Sequence, residues 1–187
     1  MGECNLDETF RCFAYGSNML TRRLRARTPS ARAVGVGYVR GHRLTFDKVS
    51  RDGSGKCDME HGEETNRVYG VVFDIALAER TDLERAEGVG AGYEAKEVDV
   101  ALTDDTIRAI AYVATAKEPA LRPYNWYKAF VVAGAVEHGL PMAYVEWLRT
   151  VESLPDPNVT RRSREEAILF GGDVQAQPEA AGGPGEK

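Results

Sequence analysis

The sequence predicts an α+β fold, a small mixed β-barrel or strongly curled sheet with flanking helices packed outside it. Three observations predict this. Short runs rich in β-branched and aromatic residues, bounded by turn-forming residues, recur between residues 10 and 114. Helical periodicity takes over between residues 125 and 170. The two kinds of segment are segregated along the chain, which argues against a doubly wound α/β sheet.

Residues 10–15 form a short, largely buried strand with three aromatics and a sharp stop at Tyr15-Gly16-Ser17-Asn18. A helix follows over residues 19–27, with Leu20 and Leu24 on one face and Pro29 beyond its end. Residues 32–39 and 43–49 are strands separated by Gly41-His42. Residues 51–66 are polar and glycine-rich and are expected to be mostly loop, with a short strand near 57–59. Residues 68–75, VYGVVFDI, are the clearest buried strand. A helix over 77–87 follows, with Leu77 and Leu83 as core positions and Gly88 and Gly90 as its stop. Residues 93–102 and 107–114 are strands joined by an Asp104-Asp105 turn. Residues 126–138 are a helix with Trp126, Phe130, Ala133 and Val136 near one face. Pro141 starts another, where its missing N–H costs nothing. A last helix spans 163–169, with Ser163 and Glu166 as a capping box. The domain is therefore expected over residues 10–170, with a flexible N-terminus over 1–9 and a disordered tail over 171–187, GGDVQAQPEAAGGPGEK.

Composition narrows the function classes. A formal net charge of −5 and a pI near 5.3 disfavour nucleic acid and acidic membranes as partners. No run approaches the ~20 apolar residues of a membrane span, and the N-terminus lacks the features of a secretory signal. Three cysteines, Cys4, Cys12 and Cys57, form no CxxC pair, so a reducing, cytoplasmic location is expected. His42, His61 and His138 are far apart and show no metal-ligand spacing, so no metal and no cofactor are expected.

Two stretches carry candidate chemistry. In Tyr15-Gly16-Ser17-Asn18, Gly16 permits a positive φ and Ser17 or Asn18 can cap the next helix. Successive N–H groups would then face outward, a setting for a carboxylate or an oxyanion, although an ordinary capped turn has the same sequence. Glu87 falls in the last turn of its helix, where the dipole disfavours a carboxylate. A solvated glutamate at a fraying end is the plain alternative. Arg22, Arg23, Arg25 and Arg27 are expected to form a solvated basic face.

Together these stretches resemble a known family. FAYGSNM, then VYGVVF, then LERAEGV followed by GYEAKEVDV, and finally YKAFVVAGAVEHGLPMAYVEWL, match in order and rough spacing the γ-glutamylcyclotransferase family of the AIG2-like superfamily, across residues 10 to 155. YGSN alone is nonspecific; the set is not. The resemblance implies a barrel-like fold and an enzyme that cuts γ-glutamyl amides without water. The substrate's α-amine attacks its own γ-carbonyl, giving 5-oxoproline and a free amine or amino acid. It also implies Glu87 as general acid/base and Tyr15, Gly16, Ser17, Asn18 and Tyr127 as substrate-binding residues. The partner it implies is a small γ-glutamyl compound, and it admits a homodimer. Gly53-Ser54-Gly55-Lys56 lies where the family carries a glycine-rich segment. Lys56 there either attracts an acidic substrate or is a solvated loop lysine.

The chemistry fits so small a residue set. An intramolecular nucleophile removes the need for a catalytic Ser or Cys, and correct folding of the glutamyl group captures part of the ~7–11 kcal/mol available to intramolecular reactions. One partly desolvated carboxylate can take the proton of the α-ammonium and return it to the leaving nitrogen. Two other readings stay open: a hydrolase using Ser17 or Cys12, for which GxSxG and a recognisable His partner are lacking, and a non-catalytic binding module of the same fold.

Overall fold

The computed structural model describes residues 8–170. The tail expected to be disordered and residues 1–7 of the expected flexible N-terminus lie outside the described residues. The first strand, β1, already begins inside that N-terminal stretch, at Thr9–Ala14. Then come β2 (Arg32–Arg40), β3 (His42–Val49), β4 (Gly55–His61), β5 (Arg67–Ala76), β6 (Tyr93–Ala101) and β7 (Thr106–Ala114). The helices are α1 (Thr21–Arg25), α2 (Arg80–Glu87), α3 (Asn125–Glu137), α4 (Met142–Thr150) and α5 (Val159–Leu169).

Five strands close into a barrel in the order β1-β5-β2-β6-β7. Its pairs are antiparallel except for β1 with β7, which meet in parallel at Cys12 and Ile110 and make the barrel mixed. The β2–β6 seam carries a single rung, Tyr38 opposite Ala101. β3 and β4 form a separate two-stranded sheet. Phe13 and its partner Val72 on one face, and Val71, Phe73 and Ile75 on the other, are all buried, so β1 and β5 are covered on both sides, as expected for near-continuous apolar strands.

Several local expectations are corrected. The segment expected as loop contains the seven-residue strand β4, in which Cys57, Asp58 and Met59 are all buried. Its polar residues find partners: Asp58 accepts from the Ala114 N–H and pairs with Lys117. The helix expected over 19–27 is a 3-10 turn, Ser17–Met19, followed by the five-residue α1, and neither receives a side-chain cap. Leu77 is 42% exposed because a 3-10 turn, not the helix proper, begins there. On α3 the buried face runs Trp126, Tyr127, Phe130, Val131, Gly134 and Ala135, whereas Val136 points outward. The last helix starts at Val159 instead of 163, because the Asn158 side chain caps it by accepting from the Arg161 N–H.

α3 is what holds the 15–20 segment in place. Gly134 lets the two backbones approach: a Cβ there would lie 2.5 Å from the Leu20 nitrogen. Behind α3, the Trp126 indole donates to Asp156, which also accepts both arms of the Arg161 guanidinium at 2.6 Å. This buried cluster fixes α3 against α5.

Candidate active site

β1 ends at Ala14, and the chain turns through Tyr15, Gly16, Ser17 and Asn18 at one end of the barrel. The Tyr15 hydroxyl donates to the Tyr112 carbonyl and so ties this turn to β7. Gly16 is needed for space, not for φ. Its φ is −119°, but a Cβ would sit 3.0 Å from the Cys57 Cβ and 3.2 Å from the Tyr127 hydroxyl. The turn bonds run from Met19 to the Gly16 carbonyl and from Leu20 to that of Ser17. The N–H groups of Gly16, Ser17 and Asn18 precede the first donor of that turn, Met19, and make no hydrogen bond with a described residue.

Glu87 is the last residue of α2, and Gly88 caps the helix in the left-handed conformation at φ 73°. This stop turns the carboxylate toward the 15–18 segment. Glu87 Oε1 accepts from Asn18 Nδ2 at 2.6 Å and from an Arg27 terminal nitrogen at 3.0 Å. The same Arg27 nitrogen donates to Asn18 Oδ1 at 3.1 Å.

Tyr127, on the first turn of α3, accepts from the Cys57 N–H at 3.0 Å, and Tyr93, the first residue of β6, donates to the Cys57 carbonyl at 2.7 Å. The slot so enclosed is lined by all six residues singled out in the sequence, Tyr15, Gly16, Ser17, Asn18, Glu87 and Tyr127. Cys12, Cys57, Tyr93 and Tyr112 complete it together with Phe13 and Ala14. Burial pushes the Tyr15, Tyr93 and Tyr127 phenols well above their ordinary range, so they remain neutral donors and acceptors. Burial likewise raises the Cys57 thiol to about 12 and lifts that of Cys12 further, leaving neither as a thiolate at neutral pH.

The slot is narrow, about 40 Å³, whereas a larger cavity, about 660 Å³, lies between the β3–β4 hairpin and β6–β7 and shares no residue with it. Volume and chemistry therefore point to different places. The chemistry decides, because only the slot combines a partly buried carboxylate with neutral hydroxyls and unused N–H groups.

Not every expectation falls here. The Ser17 hydroxyl accepts from Arg23, whose guanidinium also binds Glu165 and stacks on Phe130 at 4.3 Å. Lys56 is neither solvated nor in the slot: it pairs with Asp52 at 2.7 Å and packs over the rings of Trp126 and Tyr127. The basic face expected to be solvated is in fact divided, with Arg23 and Arg27 turned inward. The sequence reading also missed Tyr93, which its position directly after the Gly-rich stop of α2 could have suggested. Lys48, half-buried and 4.5 Å over the Tyr93 ring, gave no signal. No group of three or more His, Cys, Asp or Glu that could hold a metal ion occurs among the described residues. No helix among them is long and apolar enough to cross a membrane.

A small mixed barrel with flanking helices, one of which turns a partly buried carboxylate toward the end of the first strand, defines the class of protein. Comparison with known proteins makes the class specific. The AIG2-like family model matches residues 67–148. The γ-glutamylcyclotransferase of Homo sapiens is 34% identical over 176 residues, covering 90% of this chain and 92% of that protein. That of Mus musculus is 34% identical over 151 residues, covering 78% and 80%. A solved γ-glutamyl cyclotransferase structure superposes with a TM-score of 0.80 at 31% identity, over 88% of this chain and all of that one. YkqA from Bacillus subtilis shares the fold, with a TM-score of 0.67 at 21% identity, over 79% of this chain and 57% of that one. The chain belongs to the γ-glutamylcyclotransferase family.

Proposed function

We propose that this protein converts a γ-glutamyl amide to 5-oxoproline and a free amine or amino acid, with Glu87 as the single proton shuttle. The observation that carries the reading is the Glu87 carboxylate, 16% exposed, facing the 15–18 turn across one slot. In this mechanism the α-ammonium gives a proton to Glu87, and the freed amine attacks the γ-carbonyl carbon to close the five-membered ring. The oxyanion so formed is received by the unused N–H groups of residues 16–18, at roughly 2.7–4 kcal/mol per donor by analogy with other acyl transfers. Glu87 returns the proton to the leaving nitrogen as its bond to carbon breaks and the oxyanion recloses to a carbonyl; the ring nitrogen, which attacked with two hydrogens, then gives one to the regenerated carboxylate, which passes it to the released amine. The narrow slot takes the reacting end of the glutamyl unit, with the leaving group over its mouth. Tyr15 acts through its hydrogen bond to β7, and Tyr127 closes the slot opposite the turn.

Hydrolysis through a protein nucleophile is the weaker reading. The two thiols in the slot are held protonated, Ser17 is hydrogen-bonded to a cation, and no histidine lines the slot. A small γ-glutamyl compound as partner, without nucleic acid, and a cytoplasmic site of action accord with the acidic net charge of −5 and the sparse, odd cysteine count. A homodimer is tested by light scattering.

The test is a panel of γ-glutamyl amino acids and γ-glutamyl amines incubated with the wild type and Glu87→Gln, with 5-oxoproline and glutamate assayed. The expected result is 5-oxoproline from the wild type and nearly none from a folded variant. Glutamate as the product means hydrolysis. Ligand-induced melting shifts without product mean a binding module.

A further inference from the structure

We infer that Arg27 is a positioning residue that divides the work of the two Glu87 oxygens, fixing Oε1 and leaving Oε2 to carry the proton. The inference rests on the cyclotransferase reading of the site. Arg27 lies two residues beyond α1, so its side chain returns across the end of the barrel to reach α2. One of its nitrogens bridges Glu87 Oε1 at 3.0 Å and Asn18 Oδ1 at 3.1 Å, and Asn18 Nδ2 completes the triangle at 2.6 Å from the same Oε1. Oε1 thus holds two donors, one of them charged, whereas Oε2 has no hydrogen bond with a described residue. An oxygen with two fixed donors is a poor place to load a proton; its free partner is the better one.

The charge matters as well as the geometry. The groups facing Glu87 from the elements around it are Cys12, Tyr15, Cys57, Tyr93, Tyr112 and Tyr127, all neutral because burial raises each of them. Lys48, over the Tyr93 ring, and Arg80, paired with Glu84, are further cations around the slot, and neither makes a hydrogen bond to Glu87. Arg27 is therefore the charge in direct contact with Glu87.

The experiment measures kcat and KM for wild type, Arg27→Gln and Arg27→Lys, with melting curves to establish folding. For Arg27→Gln, kcat should fall ~10- to 100-fold, with KM changed much less. Arg27→Lys, which keeps a charged donor without the planar fork, should recover part of kcat. A rise in KM with kcat unchanged would instead make Arg27 a direct substrate contact, and no change in either would make it a bystander; both outcomes overturn the inference. Should Arg27→Gln fail to fold, Arg27→Lys decides alone: kcat below wild type at an unchanged KM supports the inference, and a wild-type kcat or a raised KM contradicts it. The side-chain amide of Asn18, followed by ¹⁵N NMR, separates this from failure of the cyclotransferase reading. Its hydrogen-bonded signal should persist in Arg27→Lys and weaken in Arg27→Gln whether or not the wild type makes 5-oxoproline, and an unaltered signal in Arg27→Gln counts against the inference.

Discussion

The Tyr127 hydroxyl accepts the N–H of Cys57, joining the first turn of the long helix α3 to the middle of strand β4 across the slot. Removing that hydroxyl leaves a buried N–H with no acceptor. Tyr127→Phe is therefore expected to cost about 1–3 kcal/mol of stability and to lower kcat/KM, because Cys57 is also the anchor of Tyr93. Urea unfolding and the 5-oxoproline assay check the two effects; a variant as stable as the wild type would show that the bond is not needed.

Gly16→Ala places a methyl 3.0 Å from the Cys57 Cβ. Cys57 cannot readily yield, since both its N–H and its carbonyl are bound by tyrosines. The expected cost is about 1–3 kcal/mol, seen as a Tm lower by several degrees, with a steep loss of turnover as the Tyr127 hydroxyl is displaced. An unchanged melting curve would contradict the crowding.

The slot thiols should be inert. With the Cys57 thiol raised to about 12 by burial, and Cys12 raised further, iodoacetamide at pH 7.5 should leave both unmodified in the folded protein and label both after unfolding. Peptide mass mapping reads the outcome. Rapid labelling of either cysteine with loss of activity would favour a covalent mechanism.

Asp156 gives a pH-dependent prediction. The hydrogen bonds from Arg161 hold its carboxyl well below the usual carboxylate range, with further bonds from Trp126 and Asn158 working against the cost of burial. A depressed folded-state pKa contributes stability above the unfolded value of ~3.9, and the contribution disappears as pH falls below it. Asp156→Asn should thus destabilise by about 2 kcal/mol at pH 7, less than a fully buried pair because Arg161 is itself 24% exposed. The gap to wild type should narrow below about pH 4. Denaturation followed by tryptophan fluorescence at both pH values tests this, and a gap independent of pH would refute it.

What the sequence revealed follows from where the information lies. Strands such as β5 and the stop at Gly88 are local signals, since apolar runs and glycine turns depend on neighbours in the chain. The four-residue turn and Glu87 were legible only as a pattern of separated blocks. Arg27 was not legible, because within a run of arginines nothing local distinguishes the one that reaches a carboxylate 60 residues away from those that meet water. β4 was obscured for a related reason: its aspartate looks like loop chemistry until Lys117 and the Ala114 N–H arrive from β7 and the segment after it. Gly16 was legible as a necessary glycine but not for the right cause, since its crowding comes from strands far along the chain.

The β3–β4 hairpin belongs to a separate sheet, yet it is fastened at several points. Tyr127 and Tyr93 hold the main chain of Cys57, Asp58 receives the Ala114 N–H of β7, and Tyr124 holds the hairpin tip through the Asp52 carbonyl. Hairpin, barrel and α3 are therefore one mechanical unit around the slot, and a change that loosens any one of these fastenings widens the gap between Cys57 and Gly16.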